Sequence, residues 1–113
     1  MATDVKARLS DTGVSAQKVR LVINMVRGKS VADALNILKF TNKASAEPIY
    51  KLIASAAANA EENFGLDRND MYVYQIFADE AATRKWRLFG ARGRFKPVLR
   101  RSSHVTVVLR ERE

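Results

Sequence analysis

The sequence predicts an α+β fold, in which three helices pack on a small antiparallel three-stranded sheet and a long extended β-hairpin projects from that sheet. Apolar residues recur at helical spacing in the middle of the chain, they alternate with polar residues near both ends, and a strongly basic segment separates the last two predicted strands. A chain of 113 residues that is 47% apolar has the size of one domain with one core. We expect residues 1–80 and 104–113 to form a globule, and the hairpin to span about 81–103.

The first predicted strand lies near the N-terminus, where Val5, Ala7 and Leu9 alternate with polar residues. A first helix then begins at Ser15 and ends at Gly28, because the residues between them carry one apolar stripe at i, i+3, i+4 and i+7. That stripe consists of Val19, Val22, Ile23 and Val26.

Two further helices follow. The second is short and begins after Ser30, which together with Asp33 three residues later resembles a capping box. Its stripe consists of Val31, Ala34, Leu35 and Leu38. The third begins at Ser45, so that Pro48 falls in the first turn, where a missing N–H costs little, and Gly65 ends it. Its apolar face consists of Ile49, Leu52, Ile53, Ala56, Ala60 and Phe64.

The last two strands follow the helices. Residues 71–81, "MYVYQIFADEA", are rich in aromatic and β-branched residues, and Val105, Val107 and Leu109 alternate with polar residues. Because only the basic segment lies between these strands, an antiparallel hairpin is the simplest connection. Arms of about 10 residues would each reach roughly 30 Å, much further than a turn requires.

The net charge of +8 is confined to one segment. Residues 84–101 contain eight of the 20 basic residues and none of the 12 acidic ones, so the charges of the remaining chain sum to zero. The eight are Arg84, Lys85, Arg87, Arg92, Arg94, Lys96, Arg100 and Arg101. A cluster localised in this way predicts binding to a polyanion. A smaller basic patch around the first helix comprises Lys18, Arg20, Arg27 and Lys29.

The chain lacks the sequence features of several other protein classes. It contains no Cys, which excludes a disulfide framework and a thiolate metal site. No apolar run approaches the roughly 18 residues that span a bilayer, and the N-terminus lacks the apolar block of a secretory signal, so we expect no membrane association. It has no clustered carboxylates, no nucleophile beside a base and no glycine-rich phosphate loop. We therefore expect neither an enzyme nor a metal or other cofactor.

Three blocks of the sequence, taken in order, carry a resemblance to a known family. They are "SAQKVRLVINMVRGKSVADALNIL", "TNKASAEPIYKLIASAAANAEENFG", and "ARGR" followed nine residues later by "HVTVVL". On these blocks nearly the whole chain resembles the bacterial large-subunit ribosomal protein twenty-two family. The resemblance implies a small globule on the subunit surface near the exit of the nascent-peptide tunnel, and a long hairpin that lines the tunnel wall. It also implies ribosomal RNA binding and a role in early subunit assembly.

The same resemblance implies partners and a location. The expected partners are large-subunit ribosomal RNA, neighbouring ribosomal proteins and the nascent peptide, with no homo-oligomer. The expected location is the cytoplasmic ribosome, with an organellar ribosome as the alternative. The sequence departs from the family at the hairpin tip, where Gly90 replaces the usual Arg or His and Phe89 replaces a frequent Pro.

The predicted RNA-binding residues combine the two basic groups with neighbours of other types. They are Lys18, Arg20, Arg27, Lys29, Arg84, Lys85, Trp86, Arg87, Gly90, Arg92, Gly93, Arg94, Lys96, Arg100, Arg101 and His104. The cations would neutralise phosphates, and the alternative for each is a solvated surface charge. Trp86 would stack on bases, with packing across the hairpin as its alternative. Gly90 and Gly93 suit a tight turn or close approach to a nucleotide, and His104 lies at the hairpin base with no second His or Cys for catalysis.

Two other functions suit parts of the sequence. An architectural DNA-binding protein with a β-ribbon arm would also be basic at the hairpin, but such proteins usually bind as dimers. An RNA-processing enzyme would need the catalytic groups that the sequence lacks. A structural protein that binds ribosomal RNA, through phosphate contacts and RNA shape, is therefore the favoured function.

Overall fold

The computed structural model describes residues 4–10, 12, 14–81, 84–89, 95–100 and 102–111, and for 84–89 and 95–100 it describes the backbone. These residues form five strands, three α-helices and a 3-10 turn at Arg68–Asp70. The strands are β1 (Asp4–Leu9), β2 (Met71–Glu80), β3 (Arg84–Phe89), β4 (Phe95–Arg100) and β5 (Ser103–Glu111). The helices are α1 (Ala16–Val26), α2 (Val31–Lys39) and α3 (Ala46–Phe64). The predicted α+β class is confirmed.

The last strand lies at the centre of a three-stranded antiparallel sheet with the order β1-β5-β2. The two ends of the chain therefore pair, in a register that places Val5 opposite Leu109. On the other side of β5, Ala78 lies opposite Val105. These residues and Val107 are buried, so the strand alternation read from the sequence matches the face that packs against the helices.

All three predicted helices are present, and their ends follow the predicted signals. Gly28 (φ +80°) and Gly65 (φ +65°) adopt left-handed conformations just after α1 and α3, which glycine does at low cost. The Ser30 hydroxyl accepts a hydrogen bond from the Asp33 N–H at 3.3 Å, as expected for an N-cap of α2. Pro48 lies in the first turn of α3.

The helices cover one face of the three-stranded sheet and enclose the core with it. The largest fully buried side chains are Ile23, Ile49, Ile53, Met71, Ile76 and Leu109. The predicted apolar face of α3 is wrong at one residue, since Phe64 is 52% exposed. Phe64 is the last residue of α3, one turn beyond Ala60, which is the last residue of that helix in the core.

β2 contains a β-bulge between Val73 and Gln75 that the sequence did not predict. Val73 is buried before the bulge, whereas Ile76 and Ala78 are buried after it. The extra residue thus moves the buried positions from odd to even numbers. Without the bulge, strict alternation would turn Gln75 and Phe77 toward the core and Ile76 toward solvent.

β3 and β4 form a separate two-stranded antiparallel ribbon. Its register runs from Arg84 opposite Arg100 to Phe89 opposite Phe95, and residues 90–94 lie outside the described residues. The protein measures 64 Å along its longest axis, and its radius of gyration of 17.2 Å exceeds the roughly 13 Å of a compact chain of this length. The elongated shape agrees with a hairpin that projects from the globule.

Candidate functional site

The ribbon brings together many of the predicted RNA-binding residues. Its two strands contain five basic residues and no acidic one, and the register places Arg84 opposite Arg100. Like charges at opposed positions of an antiparallel pair are destabilising, so a bound polyanion would stabilise the ribbon. Trp86, Lys85, Arg87 and Lys96 lie in the same strands. The predicted residues Gly90, Arg92, Gly93, Arg94 and Arg101 lie outside the described residues.

Two lysines of the second basic patch have exposed side chains. Lys18 lies on the outer side of α1, and Lys29 lies in the turn that follows the helix. Within the described part of the chain, neither side chain forms an ion pair or a hydrogen bond. Both ammonium groups are therefore placed where a phosphate can reach them, which is what RNA binding requires of them.

The two arginines of the patch contact the neighbouring strand instead. Arg20 and Arg27 are seven residues apart, so they lie on one side of α1. The Arg20 Nη2 donates to the Ala78 carbonyl at 3.0 Å, and the Arg27 Nη2 donates to the Ile76 carbonyl at 2.8 Å. The Arg27 Nη1 also donates to the Asn24 side-chain oxygen at 2.8 Å.

These contacts protect the outer edge of β2. That strand pairs with β5 on one side, and on the other side Val73 exchanges hydrogen bonds with Gly28 and Lys29 at 3.0 and 2.8 Å. Arg20 and Arg27 occupy carbonyls further along the same edge. An unprotected edge would offer these groups to another chain. Both arginines therefore stabilise the fold, a role that residue type and spacing did not reveal, whereas their RNA contacts stay a prediction.

A buried hydrogen-bond network holds the base of the hairpin. The Ser103 side chain is fully buried, its Oγ donates to the Val14 carbonyl at 2.8 Å, and it lies 2.8 Å from the Thr12 hydroxyl. The Thr12 N–H donates to the Ser103 carbonyl at 2.9 Å. The half-buried His104 follows directly and lies opposite Asp79, a carboxylate that only the strand register brings beside it. Its contact with RNA stays a prediction.

A polar and aromatic cluster that the sequence did not suggest lies on the face of the sheet away from the helices. Arg110 donates from Nε and Nη2 to the two carboxylate oxygens of Asp4, at 2.7 and 2.9 Å. Its guanidinium carbon lies 3.3 Å from the Tyr74 ring centroid, and Tyr72 meets that ring edge to face at 6.2 Å. The hydrogen bonds to Arg110 hold the pKa of Asp4 below its ordinary value, and those to Asp4 raise the pKa of Arg110.

Comparison with known proteins agrees with this architecture. The family model for ribosomal protein L22p/L17e matches residues 7–110, nearly the whole chain. The chain belongs to the ribosomal protein L22p/L17e family. The resemblance carried by the three sequence blocks is thereby confirmed.

Curated relatives of this L22p/L17e chain match it almost from end to end. A protein of Dehalococcoides mccartyi is 51% identical over 106 residues, which cover 94% of this chain and 97% of the relative. One from Ligilactobacillus salivarius is 47% identical over 107 residues, 95% of this chain and 93% of the relative. One from Pediococcus pentosaceus is 41% identical over 111 residues, which cover 98% of this chain and 94% of the relative. All three are named large ribosomal subunit protein uL22.

The L22p/L17e family is a family of ribosomal proteins and not a class of enzymes. Among the residues that the structure describes, no group of three or more His, Asp or Glu side chains is placed to hold a metal ion. In the same ranges, no helix has the length and apolar character needed to cross a bilayer.

Proposed function

We propose that this L22p/L17e-family protein is a structural constituent of the large ribosomal subunit, binds ribosomal RNA, assists subunit assembly and lines the nascent-peptide tunnel with its basic hairpin. Family membership over nearly the whole chain carries the proposal. The protein acts as a monomer in the ribosome of the cytoplasm or of an organelle. Its partners are ribosomal RNA, neighbouring ribosomal proteins and the nascent peptide.

The electrostatics of the ribbon support RNA as the partner. All of the net charge lies in residues 84–101, and a two-stranded ribbon by itself is only marginally stable in water. Phosphates that neutralise the cations remove their mutual repulsion, and the release of counterions favours the complex. Affinity gained in this way depends on backbone shape more than on base sequence, which suits a structured RNA.

The shape of the ribbon supports a place in a narrow passage. Each strand has six residues, roughly 20 Å, and two paired strands lie about 5 Å apart. A ribbon of these dimensions can lie along the RNA wall of a passage and leave the rest of the passage open. The globule then binds the RNA surface and positions the ribbon. Lys18 and Lys29 provide a second set of phosphate contacts there.

Crosslinking in assembled ribosomes tests the proposal. A photoreactive phenylalanine analogue at Trp86, in the ribbon, should crosslink to large-subunit RNA and to a stalled nascent peptide. The same analogue at Phe64, which is 52% exposed on the globule, controls for surface position and should not reach the peptide. Absence of the protein from purified large subunits would contradict the proposal. A dimer that bends duplex DNA would favour the architectural alternative.

A further inference from the structure

In the part of the chain that the structure describes, one face of the three-stranded sheet carries no helix. The core lies on the opposite face, where the inward residues of all three strands meet α1, α2 and α3. The uncovered face, here called the outer face, is formed by alternate residues of β1, β5 and β2. They include Asp4, Lys6, Arg8, Thr106, Arg110 and Phe77. Val108, at the centre of this face, is buried, with 4% of its surface exposed.

The β-bulge places an aromatic ring on the outer face. Beyond the bulge at Val73 and Gln75, Phe77 points away from the core, and its side chain is 41% exposed. No described residue makes a ring contact with Phe77, in contrast to Tyr72 and Tyr74. Bulges commonly re-aim a side chain for a function, and here the re-aimed ring is available for stacking.

Two cations of β1, Lys6 and Arg8, share the face with this ring. Arg8 lies opposite Thr106, which lies opposite Phe77, so the three form one row across the sheet. In the next row Lys6 and Gln75 flank Val108 in the same way. Two strand spacings separate the cations from β2, roughly 10 Å between Cα atoms. A flexible basic side chain can span much of that distance.

The other charged side chains of the face are Asp4, Arg110 and Asp79. Asp4 is held by both nitrogens of Arg110, and Asp79 lies opposite His104 at the far end of the sheet. Arg110 forms both hydrogen bonds with the Asp4 carboxylate, and Lys6 interacts with that carboxylate through its charge alone. Arg8 forms no ion pair with a described residue. Lys6 and Arg8 lie across the sheet from the neutral ring of Phe77. Cations on one edge strand and an exposed ring on the other edge strand fit a nucleotide, whose phosphate is anionic and whose base stacks.

We propose that the outer face binds an unpaired nucleotide of ribosomal RNA, with its base stacked on Phe77 and its phosphates held by Lys6 and Arg8. The inference rests on the proposed function and adds a contact surface separate from the hairpin. A protein partner is the poorer fit, because a stable interface buries about 800 Å² on each side, whereas a single base needs only the ring of Phe77 among the exposed rings of this face.

The test measures the affinity of the full-length protein for in vitro transcribed large-subunit RNA from one of the bacteria that carry a relative. Phe77→Ala should weaken binding about five- to tenfold, because one base loses its stacking partner. Phe77→Trp should bind as tightly as the unchanged protein. Phe64→Ala is the matched control, since it removes a ring that is at least as exposed from the end of α3 and should leave binding unchanged.

The contribution of Lys6 and Arg8 is tested by the salt dependence of RNA affinity. Lys6→Gln with Arg8→Gln should lower the slope of log affinity against log salt by roughly 1.5, the value for two phosphate contacts. Lys39→Gln with Lys51→Gln removes the same charge from the helical side and should not change the slope. Circular dichroism reports whether each variant is folded.

The outcomes separate this inference from the proposed function. If Phe77→Ala and the Lys6 and Arg8 variant bind as the unchanged protein does, while loss of the hairpin weakens binding, the outer-face site is overturned and the proposed function stands. If a photoreactive analogue at position 77 crosslinks in ribosomes to a protein and not to RNA, the face is a protein-docking surface. If the unchanged protein binds no large-subunit RNA, both proposals fail.

Discussion

The three-stranded sheet and the two-stranded ribbon share antiparallel pairing but are stabilised by different interactions. The sheet buries one face against three helices, and its central strand β5 is paired on both sides. Among the described residues, the two strands of the ribbon pair with each other alone, and they contain five basic residues and no acidic one. Apolar burial therefore stabilises the sheet within the chain, whereas we expect the ribbon to need phosphates from a partner.

The largest expected effect comes from removal of the ribbon. Because the Ala81 N–H donates to the Ser102 carbonyl at 3.0 Å, Asn-Gly in place of residues 82–101 would close β2 and β5 with a tight turn. RNA affinity should fall roughly 1,000-fold, about 4 kcal/mol, and the salt slope should fall by about 6, in filter-binding titrations. A control that changes the eight basic residues to Gln keeps the length of the ribbon. Its slope of log RNA affinity against log salt should fall by as much as that of the shortened variant.

The same variant tests the predicted division into globule and hairpin. Circular dichroism should show an unchanged helical signal, because the helices and the core lie outside the replaced segment. Loss of that signal would mean that the ribbon stabilises the globule, and the contrast between the two sheets would fail.

The next largest effect concerns the core. Ile53 is fully buried in α3, so Ile53→Ala should lower the free energy of unfolding by about 2–5 kcal/mol in urea titrations. Ile53→Val, which removes one methylene, should cost about 0.5–1.5 kcal/mol. The salt dependence of RNA binding by the folded protein should not change. A change in that slope would mean that core and ribbon are not independent.

A smaller effect distinguishes arginines that protect the sheet edge from lysines that are available to RNA. Arg27→Ala removes the hydrogen bond to the Ile76 carbonyl and should lower stability by about 1 kcal/mol. Lys18→Ala should change stability by less than about 0.5 kcal/mol, yet reduce the salt slope of RNA binding by roughly 0.7 to 0.9. Equal effects of the two variants on stability would remove this distinction.

The smallest expected effect lies on the outer face of the sheet. The hydrogen bonds to Arg110 lower the pKa of Asp4 in the folded protein, so its carboxylate adds stability above its unfolded pKa and loses that contribution as pH falls through the folded pKa. Asp4→Asn should be slightly less stable at pH 7, and the difference should begin to shrink as pH falls below about 4, the unfolded pKa. Urea titrations at several pH values measure the difference in the free energy of unfolding, and a difference that stays constant as pH falls below about 4 would contradict the assignment.

The elements of the fold follow from local sequence, and so does the basic ribbon. The apolar stripe from Val19 to Val26 and the alternation around Val107 are periodic patterns. They predict the buried positions correctly without information on tertiary contacts. Gly28 and Gly65 mark helix ends because their backbone geometry favours glycine. The charge cluster can be identified without the structure, because counting charged residues along the sequence is enough to locate it.

The features that the sequence missed depend on contacts between distant residues. Arg20 and Arg27 are ordinary exposed helix residues by sequence, and only the packing of α1 beside β2 brings them to the Ile76 and Ala78 carbonyls. The bulge is visible only when the buried positions before and after it are compared with the β5 register.

The helices, the strands, the separation of charge and the family could all be predicted from the sequence, because each depends on residue type and short-range spacing. Tertiary structure decided which strand is central, which edge the arginines protect and which face of the sheet stays uncovered. It also decided that Phe77 points outward on that face while Phe64 lies past the end of the core. These features follow from strand register and helix packing across as many as 106 positions of sequence separation, which no local pattern encodes.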